Sequence, residues 1–270
     1  MITIISIIIT TLFGWLQPWL SAGEVSVTSS TQQELVALNC ELSARSGIAI
    51  LNNEIELCSH QSDQILPIAS ISKLVSAMVF LEHNPGWETV YRMQSTDKRE
   101  GGRIYLFPGD EVTAKDLFYS ALIASDNTAV IGLVNLSGLT EQEFVTAMNN
   151  KVQALGLTNT HFVEPTGLSS HNVSTAREVA KFAAAALANL EIEEAVLNSE
   201  YHFKTKQGKT KTIYSTGQPL ASQVQDLDFL GGKTGYLNDS GYCFVGLFAQ
   251  AEEKIITVML QAYSSINKLN

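Results

Sequence analysis

The sequence predicts an α+β fold in which hairpins from both ends of the chain join one antiparallel sheet. The stretch 42–59 reads as two strands about a short turn, and the stretch 241–263 reads as two further strands rich in β-branched and aromatic residues. Between them lie apolar helices with recognisable starts. If the hairpins share a sheet, the helical middle is a long excursion from it, and a groove forms where the two parts meet.

The N-terminal elements are a hairpin and a helix. Leu42–Leu51 pairs with Glu54–Ser59 about Asn52-Asn53, a dipeptide suited to a two-residue turn. An apolar helix then runs from Ile71 to about Glu82, and the helix-ending run Asn84-Pro85-Gly86 follows it.

Three further helices open with a capping box, a threonine followed three residues later by a carboxylate that can return a hydrogen bond. The pairs are Thr113 with Asp116, Thr140 with Glu143, and Thr175 with Glu178. The last two strands, Gly241–Gln250 and Lys254–Tyr263, flank an acidic turn that begins at Ala251. The predicted order is therefore hairpin, helices, hairpin.

Composition indicates an ordered globular protein that does not bind nucleic acid. The chain has 270 residues, of which 45% are hydrophobic and 16% charged, so it can bury a large core. The net charge of −10 and the lack of basic clusters argue against a nucleic-acid partner. The cysteines and histidines show no metal-ligand spacing, so the sequence predicts no metal site.

The first 23 residues carry no charged side chain, since the first one is Glu24. The apolar run Ile2–Leu16 and the small residues at 21–23 are typical of a secretory signal peptide, and a run of this length also suits an uncleaved membrane anchor. Both alternatives export the rest of the chain. We therefore expect residues 1–23 to be a signal peptide or anchor, 24–41 a spacer, and 42–270 one domain.

Three cysteines, Cys40, Cys58 and Cys243, leave at least one thiol free. A Cys40–Cys58 disulfide would suit an oxidising compartment. The predicted hairpin argues against it, because Cys58 would lie opposite Gly47 and Cys40 would be about 23 Å further along an extended chain.

Ser70 and Lys73 stand three residues apart where a loop turns into the first apolar helix, in the stretch LPIASISK. On a helix this spacing puts both side chains on one face. A serine hydroxyl becomes a good nucleophile when a neutral amine removes its proton, and a lysine with a lowered pKa can do so. The alternative is that Ser70 caps the helix and Lys73 is solvated, and this motif by itself does not decide between them.

Two more motifs carry side chains with useful chemistry. Ser125 and Asn127, in the polar break ALIASDNTAV, offer a hydroxyl for proton relay and a carboxamide for a substrate amide, and either residue could instead cap a helix. Lys233 and Thr234 lead a predicted strand and offer an ammonium and a hydroxyl suited to a carboxylate, while Gly235 lets another backbone approach closely. The alternative there is a solvated lysine at the start of a hairpin.

In this order, S-x-x-K, S-x-N and K-T-G form the signature of serine acyltransferases that recognise penicillin. From about Leu42 to Tyr263 the chain resembles the D-alanyl-D-alanine carboxypeptidases, the low-molecular-mass penicillin-binding proteins. Further segments similar to that family are LFPGDEVTAKDLFYSALIASDNTA, LGLTNTHFVEPTGL, STAREVA and GGKTGYLNDSGYC. One departure is Asp126 in the middle of the second motif, where the family more often has a small residue and class A β-lactamases have aspartate.

The resemblance implies a β-lactamase/transpeptidase-like fold, with an antiparallel sheet of about five strands and a helical subdomain inserted between the two hairpins. It makes 42–270 the catalytic domain of a serine-type D-Ala-D-Ala carboxypeptidase. The implied substrate is the D-Ala-D-Ala end of peptidoglycan stem peptides, with β-lactams as covalent inhibitors and no metal or organic cofactor. The implied location is the periplasmic or extracellular face of the cytoplasmic membrane, with membrane association if the N-terminal segment is retained.

By the same resemblance, Ser70 is the acylated nucleophile and Lys73 its general base. Ser125 and Asn127 would complete the proton relay and the substrate contacts. A fixed positive charge on Lys233 would favour the neutral form of Lys73.

The resemblance also assigns the substrate-binding groups. Lys233 and Thr234 would receive the terminal carboxylate of the substrate. The backbone N–H groups of Ser70 and of Tyr236, the residue after Gly235, would form the oxyanion hole.

Three other functions share part of this pattern. A DD-endopeptidase of the same family uses the same residues and differs in groove depth and leaving-group access. A class A-like β-lactamase needs a base that deacylates the penicilloyl-enzyme, and Glu164 is the candidate, although its segment FVEPTGL resembles the carboxypeptidase loop. A catalytically silent cell-wall-binding protein would keep the groove without turnover, which the full set of motif residues disfavours.

Overall fold

The structure, a computed structural model, describes residues 38–39, 44–217 and 227–262. The segment 1–23 and nearly all of the predicted 24–41 spacer lie outside the described residues, so the choice between a signal peptide and an anchor stays a prediction. No helix in the described ranges has the length and hydrophobicity needed to cross a membrane.

The described elements follow the predicted order of hairpin, helices, hairpin. The strands are β1 (Leu38–Asn39), β2 (Ala44–Leu51), β3 (Ile55–His60), β4 (Leu66–Pro67), β5 (Val90–Arg92), β6 (Glu111–Thr113), β7 (Val173–Ser174), β8 (Glu200–Lys204), β9 (Thr210–Tyr214), β10 (Asp228–Leu237), β11 (Gly241–Gln250) and β12 (Glu253–Ala262). The helices are α1 (Lys73–Glu82), α2 (Ala114–Ile123), α3 (Asn127–Leu136), α4 (Glu141–Ala154), α5 (Ala176–Leu187) and α6 (Leu190–Leu197).

One six-stranded sheet runs in the order β1-β3-β2-β12-β11-β10. Its five long strands pair antiparallel throughout, which confirms the predicted fold class, and β1 adds a short parallel strand beside β3. The helices lie between β3 and β10 in the chain, and α5 packs against β2 and β12. At the opposite edge from β1, β10 contacts the 3₁₀ turn Ala69–Ser72. The turn that carries Ser70 and the C-terminal strand β10 therefore meet at this edge of the sheet.

The first hairpin forms where the sequence predicts it, but its loop is one residue longer. Asn52 and Asn53 both have positive φ, 50° and 62°, a conformation that asparagine tolerates better than most residues. Leu51 pairs with Ile55 instead of with Glu54. The loop therefore has three residues, and the register shifts by one.

The register and the pairing of Cys58 differ from the prediction. A β-bulge adds a second shift, so Cys58 lies opposite Ala49 instead of Gly47. Cys58 is disulfide-bonded, Cys243 is a free, buried thiol, and Cys40 lies outside the described residues. The distance argument against a disulfide bond at Cys58 is therefore wrong. It assumed that the chain before β2 continues the line of that strand, whereas β1 runs parallel to β3 and beside it.

The predicted caps form at α2 and α4, where each threonine and the carboxylate three residues later make a complete capping box. At α5 only half of the box forms. Thr175 accepts a hydrogen bond from the N–H of Glu178 at 3.1 Å, but the Glu178 carboxylate accepts from the N–H groups of Thr158 and Asn159 and from the Thr160 hydroxyl. That carboxylate therefore anchors a neighbouring loop to α5 instead of closing the cap.

Aromatic packing fixes the position of α1. The Phe80 ring lies 6.3 Å from Trp87 and 6.0 Å from Phe118, and the Trp87 and Phe118 rings are 5.2 Å apart edge to face. Full burial of such a side chain contributes roughly 1.5–3 kcal/mol. The helix that follows the Ser70 turn is thereby held against α2.

Candidate active site

The Ser70 turn lies directly before α1. Residues 69–72 form a 3₁₀ turn, and the helix proper begins at Lys73, two residues later than predicted. Ala69 has φ of 46°, a strained conformation for a residue with a Cβ. The turn and helix still present Ser70 and Lys73 on one side, with Lys73 Nζ donating to Ser70 Oγ at 2.9 Å.

Lys73 is only 1% exposed. Besides Ser70, its Nζ donates to Asn127 Oδ1 at 2.6 Å and to the Thr166 carbonyl at 2.5 Å. Burial lowers the pKa of Lys73 to about 7, against smaller opposing effects of the Glu164 and Asp126 charges. A large share of Lys73 is therefore neutral near pH 7.

The neighbours of Lys73 determine where its lone pair can point. A carbonyl oxygen can only accept hydrogen bonds, and the Asn127 amide is oriented because its Nδ2 donates to the Gly101 carbonyl at 2.9 Å. The two N–H groups of a neutral Lys73 are thus taken by Asn127 Oδ1 and the Thr166 carbonyl. The lone pair is left for the Ser70 hydroxyl, which is the geometry of a general base.

Ser125 and Asn127 come from the break between α2 and α3, as predicted, and Asp126 between them is the helix cap. The Asp126 carboxylate accepts from the N–H groups of Thr128 at 2.8 Å and of Ala129 at 3.2 Å. Burial raises the pKa of Asp126, which is 1% exposed. The aspartate that replaces the small residue of the family motif thus serves as a buried helix cap, and Ser125 before it has a positive φ of 58°.

Lys233 lies in the middle of β10, not at its start as the sequence predicts, and it is only 1% exposed. Its Nζ donates to Ser125 Oγ at 2.8 Å and to the Thr234 carbonyl at 2.9 Å. Burial first, and then the nearby Lys73, lower the pKa of Lys233 well below its ordinary value. The alternative of a solvated lysine is therefore wrong. Lys73 lowers the pKa of Lys233, whereas the lowered pKa of Lys73 itself comes from burial and not from the predicted Lys233 charge.

Gly235 lies against the Ser70 turn, and Thr234 precedes it on β10. The Thr234 hydroxyl donates to Thr216 Oγ1 at 2.7 Å, on the segment that follows β9. A Cβ at Gly235 would lie 2.8 Å from the Ser70 nitrogen and 3.1 Å from the Ile68 carbonyl oxygen. Only glycine therefore allows this strand to pass so close to the predicted nucleophile.

Tyr236, the next residue, has a side chain that is 52% exposed and lies 4.5 Å from the Tyr242 ring. Its backbone belongs to the same strand edge as Gly235, which touches the Ser70 nitrogen. The two predicted oxyanion-hole residues, Ser70 and Tyr236, thus come from adjoining elements.

Four residues that contribute to the site lie outside the three sequence motifs: Gly101, Thr166, Gly167 and Thr216. Gly101 and Thr166 act through backbone carbonyls, which leave no side-chain signal. Gly167 has φ of 84°, and a Cβ there would lie 2.2 Å from the Ala69 oxygen. The PTGL segment and the Thr216 hydroxyl were visible in the sequence, but nothing local connects them to Ser70.

The Glu164 side chain is fully engaged with its own loop. One carboxylate oxygen accepts from the Thr166 N–H at 2.7 Å, and the other accepts from the Gly167 N–H at 2.6 Å and from Asn172 Nδ2 at 3.0 Å. A carboxylate occupied in this way has little capacity to activate water. Within the described residues, no group of three or more His, Cys, Asp or Glu side chains is arranged to hold a metal ion.

The family model and the relatives that match this chain are all D-alanyl-D-alanine peptidases. The model of the D-alanyl-D-alanine carboxypeptidase family matches residues 29–264. The D-alanyl-D-alanine endopeptidase of Haemophilus influenzae is 34% identical over 69% of this chain and 64% of its own length. The D-alanyl-D-alanine endopeptidase of Escherichia coli is 30% identical over 91% of this chain and 78% of its own length.

A solved structure shares the fold. The DD-transpeptidase of Streptomyces K15 superposes with a TM-score of 0.76 at 25% identity, over 84% of this chain and 93% of that one. Together with the match over residues 29–264, which spans most of the sequence, this shows that the chain belongs to the D-alanyl-D-alanine carboxypeptidase family.

Proposed function

We propose that the protein is a serine-type D-Ala-D-Ala carboxypeptidase that acts on peptidoglycan stem peptides through an acyl-enzyme on Ser70. The observation that carries this proposal is the contact between Lys73 Nζ and Ser70 Oγ at 2.9 Å, in a buried setting that favours a neutral amine. Family membership supplies the substrate class.

In the acylation step, Ser70 Oγ attacks the carbonyl carbon between the two D-alanines while its proton passes to Lys73 Nζ. The oxygen of the tetrahedral intermediate is stabilised by the N–H groups of Ser70 and Tyr236, and losing one such donor costs roughly 100- to 1000-fold in rate. The C–N bond then breaks as the leaving amine takes the proton of the Ser125 hydroxyl, and the Lys73 ammonium returns its proton to Ser125, so that the Lys73 amine is neutral again. Lys233, which contacts Ser125 at 2.8 Å, holds that hydroxyl in place.

Recognition of the terminal carboxylate falls to hydroxyl groups at the edge of β10. Lys233 is buried and already bonded to Ser125 and to the Thr234 carbonyl, so it lies behind the site. Thr234 is partly exposed beside Thr216. We assign the direct contact with the carboxylate to Thr234, and Lys233 holds Ser125 behind it.

In the second step, water attacks the ester carbonyl of the acyl-enzyme and releases the shortened peptide and Ser70. A β-lactam acylates Ser70 in the same way, but its leaving group stays attached. Because the Glu164 carboxylate is engaged by its loop, we expect slow release of the penicilloyl group, unlike in a β-lactamase.

DD-endopeptidase activity is a second candidate, because the relatives from Haemophilus influenzae and Escherichia coli are named as endopeptidases. That reaction uses the same nucleophile and base, and the leaving group is a cross-linked side-chain amine instead of free D-alanine. The same catalytic residues therefore serve both reactions, and access of the leaving group to the groove decides which reaction occurs.

The proposed place of action is outside the cytoplasm. The disulfide bond of Cys58 is typical of an oxidising compartment, and peptidoglycan is the substrate of this family. Export by the segment 1–23, cleaved or retained as an anchor, completes this proposal.

The test is digestion of purified cross-linked and uncross-linked muropeptides, read by mass spectrometry, with Ser70→Ala as the control. Loss of one terminal D-alanine identifies the carboxypeptidase, and conversion of dimers to monomers identifies the endopeptidase. Persistent labelling by a fluorescent penicillin is expected, whereas rapid nitrocefin turnover would identify a β-lactamase. An unchanged cellular role of Ser70→Ala would instead favour a silent wall-binding protein.

A further inference from the structure

The loop that follows β-bridge residue His161 carries an acidic side chain that the proposed chemistry does not use. Glu164 Oε2 accepts from the N–H of Thr166 at 2.7 Å and from its hydroxyl at 2.5 Å. Oε1 accepts from the N–H of Gly167 at 2.6 Å and from the N–H of Ser169 at 3.3 Å. One carboxylate therefore organises the backbone of the whole loop.

The organised loop delivers two contacts to the catalytic turn. The Thr166 carbonyl accepts from Lys73 Nζ at 2.5 Å. Gly167 packs so closely that a Cβ would lie 2.8 Å from the Ser70 Cα. The loop thus touches both members of the predicted nucleophile–base pair.

Asn172 closes the loop and ties it to the same turn. Its Nδ2 donates to Glu164 Oε1 at 3.0 Å and to Ser72 Oγ at 3.1 Å, and its carbonyl accepts from the Ile68 N–H at 3.0 Å. The carboxylate and the Ser70 turn are therefore parts of one hydrogen-bond network, and a change in the loop reaches the turn through fixed contacts.

We propose that Glu164 is a positioning residue for acylation: its carboxylate folds the 164–172 loop so that the Thr166 carbonyl holds Lys73 Nζ against Ser70. The proposal rests on the proposed function, since it takes Lys73 as the base. In this proposal Glu164 neither contacts the substrate nor activates a water molecule. It gives a role to the residue that resembles a β-lactamase base in sequence but not in its contacts.

The carboxylate also contributes charge. Burial dominates at Lys73, and the negative charges of Glu164 and then Asp126 oppose it by raising the pKa of the amine. The third titratable group facing this amine is Lys233, on β10. His171 lies on the same loop, where its exposed ring contacts Ser169 Oγ at 3.4 Å. Removing the Glu164 charge therefore lowers the pKa of Lys73.

The test is the pH dependence of acylation by a fluorescent penicillin in Glu164→Gln. Acylation needs neutral Lys73, so the wild-type rate should rise through an acid limb at about pH 7. In Glu164→Gln the limb moves to lower pH, because the charge that favoured the ammonium is gone. The plateau rate falls by about 10- to 100-fold, because an amide cannot accept from every N–H of the loop and Lys73 is misplaced.

Two variants are the controls. Glu164→Asp keeps the charge on a shorter side chain, so its limb should stay at the wild-type pH while its plateau falls. Glu88→Gln removes an exposed carboxylate elsewhere and should change neither. A residue that only supports folding would lower the fraction of active protein without moving the limb.

An acid limb that stays in place in Glu164→Gln overturns the proposal. If that variant does not fold, an unchanged plateau in Glu164→Asp overturns it instead. Failure of the proposed function is a separate result, since the wild-type protein itself would then not be labelled by penicillin.

Discussion

Two lysines share one buried site, and their neighbours separate their proposed roles. Lys73 contacts a hydroxyl and two oxygens that can only accept, so as a neutral amine it has a lone pair for Ser70. Lys233 contacts the Ser125 hydroxyl and the Thr234 carbonyl. We therefore expect the first amine to move a proton and the second to hold a relay hydroxyl.

Replacing Lys73 by alanine should abolish acylation. The expected loss in the rate of penicillin labelling is at least about 100-fold, because the serine then has no base. Stopped-flow or gel-based labelling measures it, with circular dichroism as the check on folding. Retained labelling in a folded Lys73→Ala protein would remove Lys73 from the mechanism.

The pH dependence of the wild-type enzyme follows from the Lys73 amine. Its pKa is lowered to about 7 by burial, and the reactive form is the neutral one, so acylation should increase as the pH rises through that value. The measurement is the second-order labelling rate between pH 5 and pH 9, a range of roughly two units either side of the midpoint. A rate that falls over the lower half of this range would contradict the assignment.

Thr234→Val should discriminate between substrates by their terminal carboxylate. A hydrogen bond to a charged group is worth about 1.5–3 kcal/mol, so kcat/KM for a peptide with a free carboxylate should fall roughly 10- to 100-fold. The same peptide with an amidated end should lose little. Equal losses for both peptides would remove the carboxylate assignment.

At the scale of the elements, glycines set how closely three segments approach. Gly235 brings β10 against the Ser70 nitrogen, and Gly167 brings the 164–172 loop against the Ala69 carbonyl. The turn between them is therefore closely packed on both sides. The positions of the side chains in the site therefore depend on residues that have no side chain.

Gly167→Ala tests this dependence against Gly208→Ala. Both glycines have positive φ, 84° and 82°, but only at Gly167 does a Cβ meet other atoms. Each substitution carries a backbone cost of roughly 1–2 kcal/mol. The clash at Gly167 should add about 1–3 kcal/mol in urea unfolding and lower acylation at least tenfold. Similar stability and activity in the two variants would show that the 164–172 loop can shift to accommodate the added methyl group.

At the scale of the whole molecule, Arg177 ties the helical part to the sheet. On α5 its guanidinium donates to Glu56 of β3 at 2.5 Å and to Asp63 at 2.8 Å. Hydrogen bonds from Arg177 hold the pKa values of both carboxyls below their usual range. A lowered folded-state pKa contributes stability above the unfolded value, and that contribution is lost as the pH falls.

Arg177→Gln should therefore destabilise the protein at neutral pH and matter less in acid. The expected loss is about 1 kcal/mol at pH 7, because these groups are partly exposed. The difference from wild type should shrink toward pH 3, as the pH falls toward the lowered pKa values of the two carboxyls. Urea unfolding at both pH values measures it, with Lys204→Gln, an exposed lysine on β8, as the control. A difference that does not depend on pH would mean that the contact acts by packing alone.

Sequence reasoning succeeded where the determining signal is local. Capping threonines mark the starts of α2 and α4, and apolar or β-branched runs mark α1 and the last hairpin. The motif residues were identified because their chemistry requires particular side chains, and the structure brings Ser70, Lys73, Asn127, Ser125 and Lys233 into one connected set of hydrogen bonds or neighbouring amines.

The features that sequence reasoning missed depend on contacts between distant segments. The register of Cys58 changed because of a longer hairpin loop and a bulge, and the distance argument against a disulfide bond failed because β1 lies beside β3. The Thr166 carbonyl contributes through backbone geometry. The helix α6 and the β8–β9 hairpin were not predicted, since α6 has only eight residues and the hairpin strands are mostly solvated.

The two edges of the main sheet are treated differently. One edge is the two-residue strand β1, and the other is the ten-residue strand β10, which contacts the Ser70 turn. An extended peptide laid along that second edge would gain main-chain hydrogen bonds whatever its side chains are. Because such bonds do not depend on side chains, we expect the protein to tolerate varied residues upstream of the bond that it cuts.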